Sequence, residues 1–151
     1  MARSQMQMVS DWEKEKEEKA VKNFQLAQKY VDDQRTRLQG LEQYRTEYFR
    51  TIQNRGMQEG FEARSLNQHL GFVTKLDRAC EQQRQIIHNA VLAADQRKES
   101  WLKQMQKSRA VEMLLDKQRL QAEKKAAKEE QAMMDEVALQ RFVRSRNKHH
   151  N

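Results

Sequence analysis

Two histidines, His149 and His150, stand side by side near the end of the chain, and an adjacent imidazole pair is the first place to look for a metal. A structural metal needs three or four donors held in fixed geometry, and no further His or Cys lies nearby at ligand spacing. The pair therefore reads as terminal tail, and no metal site is expected. Cys80 is the one thiol. It has no base at a spacing that would activate it, so it reads as a small core residue. Paired carboxylates are frequent, but they interleave with lysines, as solvated helix faces do. There is no glycine-rich phosphate loop, no HExxH and no nucleophile with a plausible base. No catalytic residue and no cofactor is expected, and the chain reads as non-enzymatic.

The elements that would carry any other function follow from composition. The chain has 151 residues, 37% hydrophobic and 34% charged, which is too little apolar material for a thick core. It has no proline and four glycines, so helix formers fill nearly every position. Long helices packed along a narrow seam satisfy both facts. The net charge is +7, with eleven Lys/Arg against ten Asp/Glu in residues 1–60 and eighteen against twelve in 61–151. Arg141, Arg144, Arg146 and Lys148 follow the last acidic residue, Glu136, and read as a basic helix end. A single cysteine fits a reducing compartment. No apolar run approaches the roughly 20 residues of a membrane span, and the N-terminus lacks the apolar core of a signal peptide, so a cytoplasmic location is expected.

Steps of three and four from Phe24 give Phe24, Ala27, Val31, Gln34, Leu38, Leu41, Arg45, Tyr48 and Ile52, a heptad seam with two polar interruptions. A second seam has Leu66, Val73, Cys80, Ile87, Ala94, Trp101, Ser108, Leu115 and Ala122 at its a positions and a far more polar d series running from His69 to Gln118. A seam this mixed needs a long partner. Gly56 and Gly60 fall in the stretch between, where heptad continuity is lost, and Ser65 with Gln68 has the pattern of a capping box. The expected fold is all-α, a long antiparallel two-helix coiled coil, or helical hairpin, in one domain, 1–151. Helix 1 covers about 8–54, the turn about 55–63, helix 2 about 65–143 and a basic tail 144–151. Val9 and Trp12 extend helix 1 toward its start, and Gly40 and Gly71 mark close approach or flexibility within the helices. A fold-back near residue 58 sets Trp12 near Trp101 and leaves α-helix beyond about residue 108 uncovered, an overhang of roughly 50 Å. Its Leu114, Leu115, Met133, Met134, Val137 and Phe142 would then be free for a partner.

One further pattern lies beside the seam. Arg37, Leu41, Tyr44 and Tyr48 on the first helix, and Phe72, Leu76, Ala79 and Gln83 on the second, alternate between positions g and d. In an antiparallel pair these g flanks face one another, with Arg37 beside Ala79 and Tyr44 beside Phe72. The merged patch is either a thickened core or a docking surface with aromatic anchors.

The segments LQGLEQYRTEYFRT, FVTKLDRACEQQR, SWLKQMQKSRAVEML and EEQAMMDEVALQR, together with the glycine-bearing break, are similar in order and spacing to sequences of the FliJ family over about residues 20–144. The resemblance implies a non-enzymatic antiparallel coiled coil shaped like the central stalk of rotary ATPases. It implies binding to the hexameric flagellar export ATPase, with promotion of its assembly and activity. It also implies contact with the cytoplasmic part of the membrane export gate protein FlhA, interaction with export chaperones, and peripheral association with the inner-membrane apparatus. Carried onto this chain, the gate-binding surface falls on Phe72, Leu76, Ala79 and Gln83, with Leu41, Tyr44 and Tyr48 beside it. Gln83 stands where some relatives have histidine, and Arg37 where some have glutamine. The end bearing both termini, with Trp12, Leu114, Leu115, Met133, Met134, Val137 and Phe142, would face the ATPase.

Three alternatives remain open on sequence. A virulence-type III secretion stalk would share fold and mechanism. A nucleic-acid-binding helical protein would use the basic end, but acidic residues interrupt any phosphate-tracking stripe elsewhere, and no nucleic acid is expected. A self-assembling coiled coil would use the polar d series between chains, whereas a hairpin stays largely monomeric.

Overall fold

The computed structural model describes residues 4–60 and 62–149; Phe61, in the expected turn, and His150, in the expected tail, lie outside the described residues. Helix α1 spans Gln5–Glu59 and helix α2 spans Ala63–His149, and the two pack antiparallel as an all-α hairpin with no strand among the described residues.

Local signals set the ends. Ser4 caps α1: its Oγ accepts from the Gln7 amide and its carbonyl from the Met8 amide, each at 3.2 Å. The helix therefore starts earlier than the apolar periodicity suggests. At the other end, helix continues through Arg55–Glu59 and stops at Gly60, which adopts φ +69° and donates its amide to the Gly56 carbonyl at 3.1 Å. The left-handed conformation, rather than loss of heptad pattern, ends α1. α2 begins at Ala63, and Leu66 donates to the Glu62 carbonyl at 3.0 Å, so Ser65 lies inside the first turn and not at the cap. The basic segment expected to be a tail is helical through His149, and Arg146, Lys148 and His149 sit in the last turn against the negative pole of the dipole.

Replacing Gly60 with alanine meets no atom within 4 Å, so its whole cost is backbone. That cost is about 1 kcal/mol, a fall of roughly 2–4 °C in the melting midpoint, of which asparagine should recover part because it tolerates the left-handed region. A circular dichroism melt of the two variants checks this. A Cβ at Gly40 or Gly71 also meets nothing within 4 Å, so neither glycine marks a close approach.

The chain divides into two compact units, Glu15–Met105 and, together, Met1–Lys14 with Gln106–Asn151. In the first, Ala27, Val31, Ala90 and Ala94 form the core cluster with Val91 against it. Ile52, Val73, Leu76 and Cys80 extend the seam toward the turn. Its polar positions are satisfied in place. Gln83 donates through Nε2 to the carbonyl and the Oε1 of Gln34, at 3.0 and 2.7 Å, and Arg97 donates to the Asn23 carbonyl at 3.3 Å. Trp101 stacks on Phe24, with centroids 5.8 Å apart and planes 15° apart, and not on Trp12. The turn lies a few residues later than expected, which moves the pairing by about one helical turn.

In the second unit, Ser10 is buried and the Ser108 Oγ donates to the Glu13 carbonyl at 3.0 Å. Lys14 pairs with Glu112 at 3.1 Å. Pairing thus passes residue 108 and ends near Leu115, which shares a shallow groove with Gln7 and Ser10. From Asp116 to His149 every residue is exposed.

Candidate docking surfaces

Within the Glu15–Met105 unit, the seam turns Tyr44 and Tyr48 of α1 toward Phe72 and His69 of α2. Tyr48 is half-buried, and its hydroxyl makes a 2.7 Å hydrogen bond to His69 Nδ1. Its ring lies 4.7 Å from that of Phe72, 5.9 Å from His69 and 6.3 Å from Tyr44. Tyr44 meets Phe72 edge-on at 6.4 Å and 86°. These offset and edge contacts suit the ring quadrupoles, so Tyr48, fixed at its hydroxyl, acts as a pedestal for its neighbours. Tyr44 remains 49% exposed and Phe72 37%, enough for both to meet a partner. His69 was not among the residues singled out on sequence. Its d position with Tyr48 opposite it was the available signal.

The other members of the eight-residue patch divide between surface and seam. Arg37 is exposed, and Leu41 and Ala79 are half-buried. Leu76 and Gln83 are buried, at 8% and 7% exposure, and Gln83 uses its amide on Gln34. A d residue near the centre of a two-helix seam faces the partner helix, so these two hold the patch up without presenting a side chain to solvent. Alongside runs a row of partly exposed ion pairs, Arg45 with Asp77 and Arg84 with both Glu42 (3.0 Å) and Glu81 (3.3 Å). Chiefly through the Glu42 hydrogen bond, the Arg84 guanidinium is held above its ordinary pKa.

The second unit carries the other group of residues. Trp12 is more than half exposed, Leu115 is half-buried against the Ser10 groove, and Leu114, Met133, Met134, Val137 and Phe142 are exposed. Met133, Met134, Val137 and Ala138 line a trough with Glu130 and Arg141. Leu120, Leu139 and Val143 are exposed as well, and the sequence reading had not included them.

Among the described residues, no group of three or more His, Cys, Asp or Glu side chains is placed to hold a metal ion, and no helix is long and apolar enough to cross a membrane. Each unit carries an exposed surface, aromatic on one and apolar with flanking charge on the other. Neither the curated proteins nor the solved structures give a match to this sequence. A family model described as flagellar FliJ protein matches residues 1–147. Because that match runs through both helices and takes in both surfaces, the chain belongs to the FliJ family and is a component of the flagellar type III export apparatus.

Proposed function

We propose that the chain is a non-enzymatic, cytoplasmic stalk-type adaptor of flagellar export, which binds and stimulates the hexameric export ATPase, contacts the cytoplasmic part of the gate protein FlhA and meets export chaperones. The observation that carries the gate contact is the exposed Tyr44–Phe72 pair, propped on Tyr48 and His69, in a chain of this family. Rigid aromatic side chains with part of their surface free are the usual anchors of protein interfaces. Contact with the ATPase falls to the second unit, whose α2 carries more than thirty consecutive exposed residues, Met133, Met134, Val137 and Phe142 among them. Peripheral attachment to the membrane then follows through the gate protein.

Truncating Tyr44 and Phe72 together to alanine should weaken binding to the cytoplasmic part of FlhA by about thirtyfold or more, since interface aromatics of this kind are worth about 1–2 kcal/mol each. Stimulation of the ATPase should be nearly unchanged. Met133→Asp with Phe142→Asp should give the opposite pattern, losing ATPase stimulation and keeping gate binding. Titration calorimetry and a hydrolysis assay read the two activities. Equal loss of both in either variant would refute the division of labour.

A further inference from the structure

Beyond Leu115 the hairpin seam has no partner, and the a and d positions that continue it on α2 become acidic and mixed: Ala122, Lys125, Glu129, Ala132, Glu136 and Leu139. A different heptad stripe begins there. Steps of four and three give Glu123, Ala127, Glu130, Met134, Val137, Arg141, Arg144 and Lys148, about 140° round the helix from the seam, and every one of these residues is exposed. The stripe is acidic at its start, apolar in the middle and basic at its end. Read backwards it complements itself at every position but one pair, Ala127 against Arg144.

We infer that this stripe is a self-association surface, on which the terminal segment of α2 pairs antiparallel with the same segment of a second copy about a two-fold axis between Met134 and Val137. Antiparallel coiled coils set a positions against d positions. In this register each Met134 meets the partner copy's position 137, each Glu130 meets position 141 and each Glu123 meets position 148, which makes four acid–base pairs across the dimer and leaves each Arg144 opposite the alanine at position 127. Parallel pairing would set Glu on Glu and Arg on Arg along the whole stripe, which is repulsive. Among the described residues, none of Glu123, Glu130, Arg141, Arg144 and Lys148 is engaged in an ion pair within the chain, so the charges are available. The positions flanking the stripe at e and g are uncharged apart from Lys124, and Met133 and Ala138 widen its apolar centre.

The contact runs about 38 Å but has only two apolar layers, and exposed ion pairs contribute little each. It is therefore a weak, salt-sensitive dimer, with single hairpins prevailing when dilute. The inference does not depend on the ATPase reading. If both hold, the second copy and the ATPase compete for Met134 and Val137.

Sedimentation velocity of the purified full chain at low salt tests it. The average mass should climb toward the dimer between about 10 µM and about 1 mM and fall back when salt is raised to about 0.5 M. Glu130→Arg alone, and Arg141→Glu alone, should each raise the dissociation constant about tenfold, because each turns two attractions of the dimer into repulsions. The double variant Glu130→Arg/Arg141→Glu should restore it, as only an antiparallel two-fold pairing allows. All of these substitutions lie on exposed helix, and an unchanged circular dichroism spectrum confirms that the hairpin persists. A wild-type chain that stays monomeric throughout, single variants that dimerise as well as wild type, or a double variant that stays as weak as the single ones would each overturn the proposal.

Discussion

Leu76→Ser should lower the melting midpoint by roughly 6–12 °C, whereas Phe72→Ser, four residues away on the same helix, should lower it by only a third as much. The seam is thin. Among the described residues the buried hydrophobics are Ala27, Val31, Ile52, Val73, Leu76, Cys80, Ala90 and Ala94, and of these only Ile52 and Leu76 carry a four-carbon side chain. Removing such a side chain loses its transfer free energy and leaves a cavity, and a hydroxyl put in its place must find a partner. About 3 kcal/mol is expected, which for a chain of this size gives the stated shift. Phe72 keeps 37% of its surface exposed and loses mainly its contacts with Tyr48 and Tyr44, about 1 kcal/mol. Thermal melts followed by circular dichroism separate the two. Equal shifts would mean that Leu76 is no more part of the seam than Phe72. The contrast also decides which side chains report on the proposed gate contact: a polar residue at 76 would act through loss of fold, and Tyr44 with Phe72 are the informative pair.

That division was only half legible in the sequence. The heptad steps from Phe24 to Ile52 pick out residues that the structure buries or half-buries at every position, and the a series of α2 does the same from Val73 to Leu115. Hydrophobic periodicity is a strong signal because the 3.6-residue turn leaves few ways to bury such a row. The same steps also place Gln34, Gln83 and Ser108 on the seam, but they do not say what satisfies a polar side chain there. Gln34, Gln83 and Ser108 are buried, yet nothing in their chemistry demands it until the carbonyls and amides that satisfy them are known. Hence the pairing of α1 with α2 past residue 108, where the Ser108 hydroxyl meets the Glu13 carbonyl, is not legible in the spacing, and Gln83, a d residue that the patch also claims, belongs to the seam. The turn was placed early because heptad pattern and helix are different things: Arg55–Glu59 have no seam to join but nothing to break them until Gly60. Of the patch, the pairing of Tyr44 with Phe72 was readable from the antiparallel register. For His69 the spacing offers only a d position opposite Tyr48, and the hydroxyl-to-imidazole hydrogen bond that defines its role follows from no spacing rule.

Gln34 and Gln83 give the second large effect, and its sign should reverse between one substitution and two. Gln83→Ala removes a donor whose Nε2 serves both the Gln34 carbonyl and its Oε1, and it leaves a buried amide facing a void. The desolvated group and the cavity together should cost about 2–3 kcal/mol. Gln34→Leu combined with Gln83→Leu removes both halves of the hydrogen bond and fills the layer with apolar carbon, which is generally neutral or stabilising, here by about 1 kcal/mol. Denaturant titrations of the two single leucine variants, the double and the wild type complete the cycle; a double variant as unstable as Gln83→Ala would mean that the layer is not closed off from water. Stability is not the whole role of the pair. Alanine, valine and leucine layers one heptad apart resemble one another, so an apolar seam tolerates sliding, whereas the Gln83 amide is satisfied only opposite Gln34. Spin labels at residues 37 and 79 of the double variant should report a broader distribution of distances than in wild type, despite the higher melting point. The register that brings Tyr44 against Phe72 is then fixed by a polar contact one or more turns away, and a seam without it would hold together more firmly while presenting the aromatic surface less uniformly.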